Sequence, residues 1–582
     1  MKYPKLKKLN TSREFIDVFR GYNHNLRIGE NEFFDMKNLS ADNYPIFSPR
    51  AKRGTYETPL DPTGLIAKTD LCYTDGEAFV KKKADGTREV IQMGLSNTPK
   101  TLISMGAYVI IMPDKKYINT ESVNYSDRGS IEAEYTSTSK VTFSLCKVDG
   151  VGYDNATPQA TAPSSPENGD LWIDTSSTPH QLKQYSSTTE MWSGIATTYV
   201  KIESDDIGED FEVNDGVTIK GAESVLPDIT ANTIIWAKGE NYIVITGLID
   251  EAVTIDTPIT VERKMPIMDF IIESGNRLWG CRYGDALNDE RVNEIYASKL
   301  GDFKNWNCFA GISTDSYAAS VGTDGPFTGA ITHRGYPLFF KENVMHKVYG
   351  NYPANYQIQA TECRGVQPGC ERSLAIVNEI LFYKSRSGVC AYDGSLPQEI
   401  SPEFGDVRYS NAAAGALGNK YYISMSDEGN DYHLFVYDLK KGIWHREDNT
   451  QAASFAAWQG DLYYIDYSDK QIKSVRGNGA VEPREVSWEA VTGIIGISTP
   501  DKKYISRMDV RMQLAIGTRV IFSAEYDSSG VWEPLFIMNG TSLDSFSVPI
   551  RPRRCDHLRL RIEGNGEAKI YSICKTVEQG GS

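Results

Sequence analysis

The chain has 582 residues, of which 40% are hydrophobic and 11% aromatic, including 33 tyrosines. This length predicts several domains of about 100–200 residues each, and the aromatic content favours strands, because rings pack well on half-buried pleated faces. The formal charge of −16 argues against a dedicated DNA-coating protein, since phosphate contacts need Lys and Arg, but it is compatible with an acidic channel through which DNA slides.

Residues 1–59 predict an amino-terminal arm or collar. They carry many turn residues and widely spaced aromatic side chains, such as Tyr22, Phe33 and Phe47. Pro45 and Pro49 keep the backbone extended there. The arm is either a strand-and-loop collar that packs on a ring or an arm used in assembly.

A short phrase, a polar Gly or Asn turn followed at once by an aromatic-rich strand, recurs in the centre of the chain. Leu338, Leu381, Tyr421 and Leu462 mark successive copies at steps of 43, 40 and 41 residues. A period of about 40–45 residues with four short strands per unit predicts a β-propeller. Five clear copies lie in residues 266–480, and residues 60–118 hold two weaker copies and the first blades. The seven copies of the phrase, two weaker and five clear, begin at Gly64, Gly106, Asn276, Gly335, Asn378, Asn419 and Gly460.

Two regions break this period. Residues 119–265 are too long for one blade, and their Pro-, Ser- and Thr-rich part contains short aromatic strands. We expect β-rich inserted modules here, with strands at 211–219 and 242–245. Residues 481–582 alternate apolar and polar residues, which is typical of a sheet with one buried face. They predict a carboxy-terminal β-sandwich, so that the fold class is all-β: an interrupted propeller followed by a sandwich.

Two sets of residues are candidates for binding. Trp172, Tyr185 and Trp192 in the inserted module either stack on sugars or a partner, or form the small core that such a module needs. Arg551, Arg553 and Arg554 are either a subunit or DNA-channel contact, or a charged edge loop that blocks strand pairing.

The sequence predicts no catalytic, cofactor or metal site. Glu489, Asp501 and Asp509 are candidate acids only because acids are abundant, and no spacing encodes the pair a glycosidase needs. Nucleotide-binding glycine motifs are missing. The nine cysteines are odd in number and scattered, which favours reduced thiols in a cytosol. We find neither a signal peptide nor an apolar run of about 18 residues, so we expect a soluble protein made in a bacterial cytoplasm.

The chain resembles structural proteins of tailed phages and prophages of Gram-positive bacteria. The resemblance lies in Gly21-Tyr22-Asn23, residues 31–39, Tyr44-Pro45, Ser48-Pro49-Arg50 and Arg53-Gly54, and in residues 295–306, 337–342 and 347–350. The plan is similar to that of the β-propeller tail nozzle (tail tubular) and tail hub proteins of short-tailed phages. These motifs are specific for phage structural proteins as a class, but they do not indicate which position in the tail the protein occupies.

The resemblance implies a virion protein that acts by assembly and is not an enzyme. Several copies, six for example, would form a homo-oligomeric ring around the DNA channel, below the portal and adaptor proteins. The insertion and the terminal sandwich would contact neighbours, distal tail proteins or fibres. The alternative is a tail protein that binds, or also degrades, a receptor glycan, which the aromatic residues of the insertion favour.

Overall fold

The computed structural model describes residues 11–153, 155–227, 233–285, 291–482, 485–496, 502–540, 543–548 and 554–578. Over these ranges the chain folds into strands and short 3-10 turns, and no helix there is long and apolar enough to cross a membrane. The 3-10 turns are Val123–Tyr125, Pro353–Asn355, Glu371–Ser373 and Pro402–Phe404.

Seven antiparallel sheets in the described residues are the blades of a β-propeller, which confirms the predicted fold class. Blades 1 and 2 precede the insertion and blades 3 to 7 follow it; the insertion begins after Ser130 and not at residue 119 as expected, because Arg128–Ser130 pairs with Lys116–Asn119 as the fourth strand of blade 2. The strands of blades 1 to 3 are Pro62–Ala67, Leu71–Asp75, Ala78–Lys82 and Arg88–Gln92; Thr101–Met105, Tyr108–Met112, Lys116–Asn119 and Arg128–Ser130; and Phe270–Ser274, Arg277–Asp285, Arg291–Ala297 and Tyr317–Ser320.

The remaining four blades follow one another along the chain without interruption. Blade 4 contains Phe327–His333, Tyr336–Lys341, Val344–Tyr349 and Gln357–Glu362, and blade 5 contains Ala375–Val377, Ile380–Lys384, Val389–Tyr392 and Gln398–Glu399. Blade 6 contains Ser410–Leu417, Lys420–Ser426, Tyr432–Asp438 and Ile443–Arg446. Blade 7 contains Ala452–Trp458, Asp461–Asp466 and Ile472–Ser474, then Gly54–Glu57 and Ala480–Val481.

In blades 2 to 7 the repeated phrase is the tight turn between the first and second strands. The copy expected to begin at Gly64 lies instead within Pro62–Ala67, the first strand of blade 1, so Gly64 is not a turn residue. Such turns need residues with positive φ, which Gly and Asn adopt most readily. The aromatic-rich strand that follows is the second strand, and its markers Leu338, Leu381, Tyr421 and Leu462 are all fully buried. The turn residues with positive φ are Gly106, Asn276, Gly335, Asn378, Gly418 and Gly460.

The blades close into a ring because each blade buries its faces only against its neighbours. Separate apolar cores lie between adjacent blades: Trp279 of blade 3 packs with Phe339 of blade 4, and Tyr73 of blade 1 packs with Tyr463 of blade 7. The first strand of blade 7 also contacts the first strand of blade 1.

The arm closes the ring. Its strand Gly54–Glu57 pairs antiparallel with Ile472–Ser474 and so becomes part of blade 7. Blade 7 is therefore built from segments at both ends of the propeller sequence.

Buried ion pairs hold the arm beside this strand. Arg53 is 3% exposed and donates to Glu447 at 2.6 Å and to Asp448 at 2.8 Å. Arg50 donates to both carboxylate oxygens of Glu482 at 3.2 Å. Burial raises the pKa of Asp448, but the charges of Arg53 and Arg50 outweigh it and hold the pKa below its usual value.

The insertion folds as a β-sandwich of its own, here called the inserted sandwich. Its core is fully buried and includes Phe143, Ile202 and Phe211. The strand expected at 211–219 begins only at Gly216, because a turn closes at Asp215, whose N–H donates to the Glu212 carbonyl. The sheets are Ala133–Thr136, Thr260–Arg263, Gly216–Lys220 and Thr233–Ile234; and Ala237–Gly239, Tyr242–Thr246, Tyr199–Glu203, Val141–Cys146 and Val253–Ile255.

The carboxy-terminal region forms the predicted sandwich, here called the terminal sandwich, and the arm adds a strand to each of its sheets. Thr11–Ile16 pairs with Ala568–Glu578, and Phe33–Lys37 pairs with Ser487–Thr492. The sheets are Thr11–Ile16, Ala568–Glu578, Lys503–Leu514, Asp544–Val548 and Arg554–Cys555; and Phe33–Lys37, Ser487–Thr492, Leu558–Asn565, Arg519–Tyr526 and Trp532–Asn539.

The spaced aromatic side chains of the arm anchor it to the propeller and to the terminal sandwich. Tyr22 packs against Phe435 of blade 6, with ring centroids 5.3 Å apart. Phe47 contacts Phe33 at 4.9 Å and Trp488 of the terminal sandwich at 6.5 Å. Between these anchors, Leu39–Ser40 and Ser48–Pro49 form a small hairpin.

Candidate functional site

A small four-stranded sheet, here called the aromatic module, is inserted between two strands of the inserted sandwich. Trp172 lies directly opposite Lys183, and Tyr185 lies directly opposite Trp192. Residues directly opposite in an antiparallel pair point to the same side of the sheet, so the three rings share one face. The module's strands are Ala156–Gln159, Leu171–Asp174, Gln181–Ser186 and Met191–Gly194.

This aromatic face is defined by seven residues, of which Trp192 is the central ring. Trp192 meets Trp172 edge-on at 5.5 Å and Tyr185 at 5.3 Å between ring centroids. Trp172 is only 7% exposed, and its indole N–H donates to the Gln159 carbonyl at 2.8 Å, whereas Tyr185 and Trp192 are partly exposed. The seven residues are Trp172, Asp174, Gln181, Lys183, Tyr185, Trp192 and Gly194.

An ion pair lies beside the rings on this face. The Lys183 ammonium stands 4.9 Å from the centre of the Trp172 ring and donates to Asp174 at 2.7 Å. The hydrogen bond from Lys183, together with those from Ser176, lowers the pKa of Asp174 to about 2. Asp174 is therefore charged at neutral pH, and the Lys183 ammonium beside it compensates this charge.

Gly194 leaves a recess in the aromatic face. It lies opposite Lys183 and two residues from Trp192. A Cβ placed at Gly194 would meet a single neighbouring atom, the Gln181 side-chain oxygen at 4.0 Å. The space bounded by Trp192, Lys183 and Gln181 is consequently open to solvent.

The other side of the module is its attachment side. Ile173 and Leu182 lie opposite each other and are both 1% exposed. The His180 ring nitrogen bonds Asp250 of the inserted sandwich at 2.9 Å. The module thus buries its apolar residues on one side and presents rings and polar groups on the other.

Of the remaining predicted site residues, those that the structure describes lie apart from one another. Arg551 and Arg553 lie outside the described residues, and Arg554 is exposed in a short strand beside Lys503–Leu514. Among the candidate acids, Asp501 is also outside the described residues, and Glu489 and Asp509 lie in different sheets of the terminal sandwich.

A cavity of about 300 Å³ lies where the first strands of blades 2, 3 and 4 meet, near the propeller axis. Asp269, Glu371 and Arg372 line it together with apolar side chains. Asp269 is paired with Arg282 at 2.7 Å, and Arg372 donates to the Ala453 carbonyl of blade 7 at 3.0 Å. Sequence reasoning missed this cavity, because its residues come from separate repeats and share no local motif.

One exposed group of carboxylates can approach a cation. Oxygen atoms of Asp206, Glu209 and Glu240 lie within 4.8 Å of one another in the inserted sandwich. Exposed acidic groups of this kind are common without a bound ion, so the group supports no assignment.

No family model and no curated protein matches the chain. Similar solved structures include the exo-β-1,3-galactanase of Phanerochaete chrysosporium with galactose, at 9% identity and a TM-score of 0.21 over 52% of this chain and 94% of that chain. Raptor of Chaetomium thermophilum is similar at 9% identity and a TM-score of 0.28, over 74% of this chain and 30% of that chain. PorZ of Porphyromonas gingivalis, a surface component of the type-IX secretion system, is similar at 12% identity and a TM-score of 0.24, over 84% and 71%.

These comparisons correct the prediction that the chain is not an enzyme. The similar structures include the exo-β-1,3-galactanase and a further glycoside hydrolase, at 12% identity and a TM-score of 0.19 over 52% of this chain and 96% of that chain. Similarity at such TM-scores assigns no particular reaction to this chain.

Proposed function

We propose that this chain is a structural protein of a tailed-phage virion, where several copies form a ring at the nozzle or hub of the tail. The observation that carries the proposal concerns the arm. The segment whose sequence resembles phage structural proteins is the one that completes blade 7 and adds a strand to each sheet of the terminal sandwich.

A tail ring has to hold its shape while DNA passes through it, and the arm ties the domains of this chain together. The tie combines strand pairing, aromatic packing and the buried ion pairs of Arg50 and Arg53. Detaching the arm from these domains requires breaking all of these contacts. The net charge of −16 also suits a ring around DNA, because a negative lumen repels the phosphate backbone and lets it slide.

A closed ring needs two different surfaces that fit head to tail. The strand Trp532–Asn539 ends one sheet of the terminal sandwich, and an edge strand is a ready template for pairing with another chain. Ile537 on this strand is 48% exposed, and Val531 just before it is 60% exposed. We assign a contact with the neighbouring copy to this edge, and the inserted sandwich is a further candidate for such a contact. The portal, adaptor and distal tail proteins are the other proposed partners.

The experiment is electron microscopy and sedimentation of the purified chain, alone and mixed with portal and adaptor proteins of a tailed phage. We expect closed rings of one stoichiometry. Ile537→Lys should shift the chain toward monomers without changing its melting temperature, because a charge on an edge strand opposes pairing. Leu60→Lys, at an 88% exposed loop residue, is the matched control and should assemble normally. Monomers alone under all conditions would overturn the proposal.

A further inference from the structure

We propose that the aromatic face of the inserted module binds a neutral carbohydrate. This goes beyond the ring-forming role and does not depend on it. Tyr185 and Trp192 are partly exposed and supply ring surface, and the neighbouring side chains supply hydrogen-bond donors and acceptors.

The ligand class follows from the mixture of groups on this face. A pyranose has a face of C–H groups and a rim of hydroxyls, so it needs an aromatic surface bordered by amide or charged side chains. Trp and Tyr present large rigid apolar area with a polar tip. Gln181 and Lys183 stand beside the rings and can exchange hydrogen bonds with hydroxyls, while the buried Asp174 holds Lys183 in place.

The recess at Gly194 gives the face its shape. It lies on the same strand as Trp192 and opens beside Lys183 and Gln181. A sugar ring that rests against Trp192 can extend into this space, where a larger side chain would stand in its way. The recess therefore defines the position of the ligand and supplies a way to block it.

Other ligand classes fit this face less well. A stable protein interface buries about 800 Å² on each partner and involves about 20–30 residues a side, whereas this face offers two partly exposed rings on one small sheet. Nucleic acid binding depends on free Lys and Arg charges, and Lys183 is already neutralised by Asp174 at 2.7 Å. A neutral sugar requires no such surplus of charge.

The test is titration of the full chain with soluble laminarihexaose, cellohexaose and chitohexaose, followed by calorimetry and tryptophan fluorescence. At least one oligosaccharide should bind. Trp192→Ala and Gly194→Leu should each weaken binding by about tenfold or more, which corresponds to 1.4 kcal/mol. The matched control is Ser193→Leu, which also introduces a leucine. Residue 193 points to the opposite face of the sheet from residue 194, so this variant should leave binding unchanged.

The two variants separate a binding role from a folding role. Trp192 contacts both other rings, so its loss can unfold the module, whereas Gly194 has open space for a side chain. Loss of binding in Trp192→Ala with full binding in Gly194→Leu would overturn the proposed site. Failure of all three oligosaccharides to bind, or binding that neither variant changes, would do the same.

Discussion

Arg53 places a full positive charge at the buried junction of the arm and blades 6 and 7. Its guanidinium bonds Glu447, Asp448 and Thr450 and stands 5.5 Å from the ring of Tyr464. Neighbouring carboxylates raise its pKa well above the ordinary value, against the effect of burial. Removing one member of such a buried cluster leaves the others charged and unpaired, which costs more than the ion pair itself contributes.

We therefore expect Arg53→Met to lower the free energy of unfolding by about 3–5 kcal/mol, because Glu447 loses its buried partner. Denaturant unfolding followed by tryptophan fluorescence measures this change. The control is Arg334→Met, which removes a pair with Glu379 at 3.8 Å between largely exposed side chains and should cost about 0.5 kcal/mol or less. Equal effects of the two variants would show that the cluster is not anchoring the arm.

A second residue-scale prediction concerns pH. His445 is 1% exposed, and neither of its ring nitrogens has a hydrogen-bond partner among the described residues. Burial, with the nearby charge of Lys420, lowers its pKa from 6.5 to about 3, although Asp42 acts in the opposite direction. Between these values the unfolded chain binds a proton that the folded chain does not, so stability falls as the pH drops below 6.5.

His445→Phe should remove this contribution, since an apolar ring of similar size needs no partner. Compared with the native chain, its unfolding free energy should depend less on pH by up to about 1.4 kcal/mol per pH unit below the ordinary histidine pKa. Unfolding midpoints measured across this acid range check it. Identical pH profiles would mean that the buried imidazole is protonated without cost.

Among single residues, those in local turns could be predicted and those in distant contacts could not. Asn378 and Gly460 mark turns because their positive φ depends only on the local chain. The partner of Arg53 lies 394 residues away, and no local pattern encodes that contact. Trp172, Tyr185 and Trp192 were found as a set, but their division into one buried and two partly exposed rings depends on strand register.

At the scale of elements, the closing strand is a non-local feature that the repeat does not encode. The seven blades follow from a repeat read along the chain, because each turn and strand is specified within one unit. The strand Gly54–Glu57 belongs to blade 7 through pairing with residues 472–474. Its four residues carry no copy of the repeated phrase, so the sequence alone predicts that they belong to the arm and not to a blade.

The closing strand also has a steric requirement at Gly54. A Cβ at this position would lie 2.3 Å from the Asn478 carbonyl oxygen and 2.8 Å from the Gly477 carbonyl carbon, both backbone atoms. Gly54→Ala should therefore force the strand away from Ala480–Val481 and cost about 1–3 kcal/mol or more, as overpacking does.

Hydrogen exchange checks this prediction, since amides of blade 7 and of the adjoining blade 1 should lose protection first. Gly322→Ala is the matched control, because a Cβ there has no neighbour within 4 Å and should leave exchange unchanged. Uniform loss of protection over the whole chain would indicate that the ring opens as one unit and that the closing strand is not its weak point.

At the scale of the whole molecule, the aromatic module is an appendage to the propeller and the two sandwiches. The chain enters and leaves it only through the ends of two neighbouring strands of the inserted sandwich. Cys146 and Tyr199 lie opposite each other where the aromatic module leaves the inserted sandwich. The module returns to its starting point, so the propeller and the two sandwiches do not depend on it for chain continuity. The proposed ring formation and the proposed sugar binding can consequently be tested separately.

This separation can be tested by excision. Replacing residues 148–197 with Asn-Gly leaves Lys147 and Thr198 as the ends of a two-residue hairpin, for which Asn-Gly is a favoured turn. The core of the inserted sandwich, including Phe143 and Ile202, keeps its strands. We expect the shortened chain to retain its melting temperature and its oligomeric state, and to lose oligosaccharide binding completely.

The outcome distinguishes the two proposals because each predicts a different readout. Loss of sugar binding with intact rings supports both, whereas retained sugar binding moves the ligand away from the aromatic face. Loss of rings in a chain that still melts at the native temperature would place the neighbour contact on the module. In that case the partly exposed Tyr185 and Trp192 would be interface residues, and the edge strand Trp532–Asn539 would no longer be needed to explain assembly.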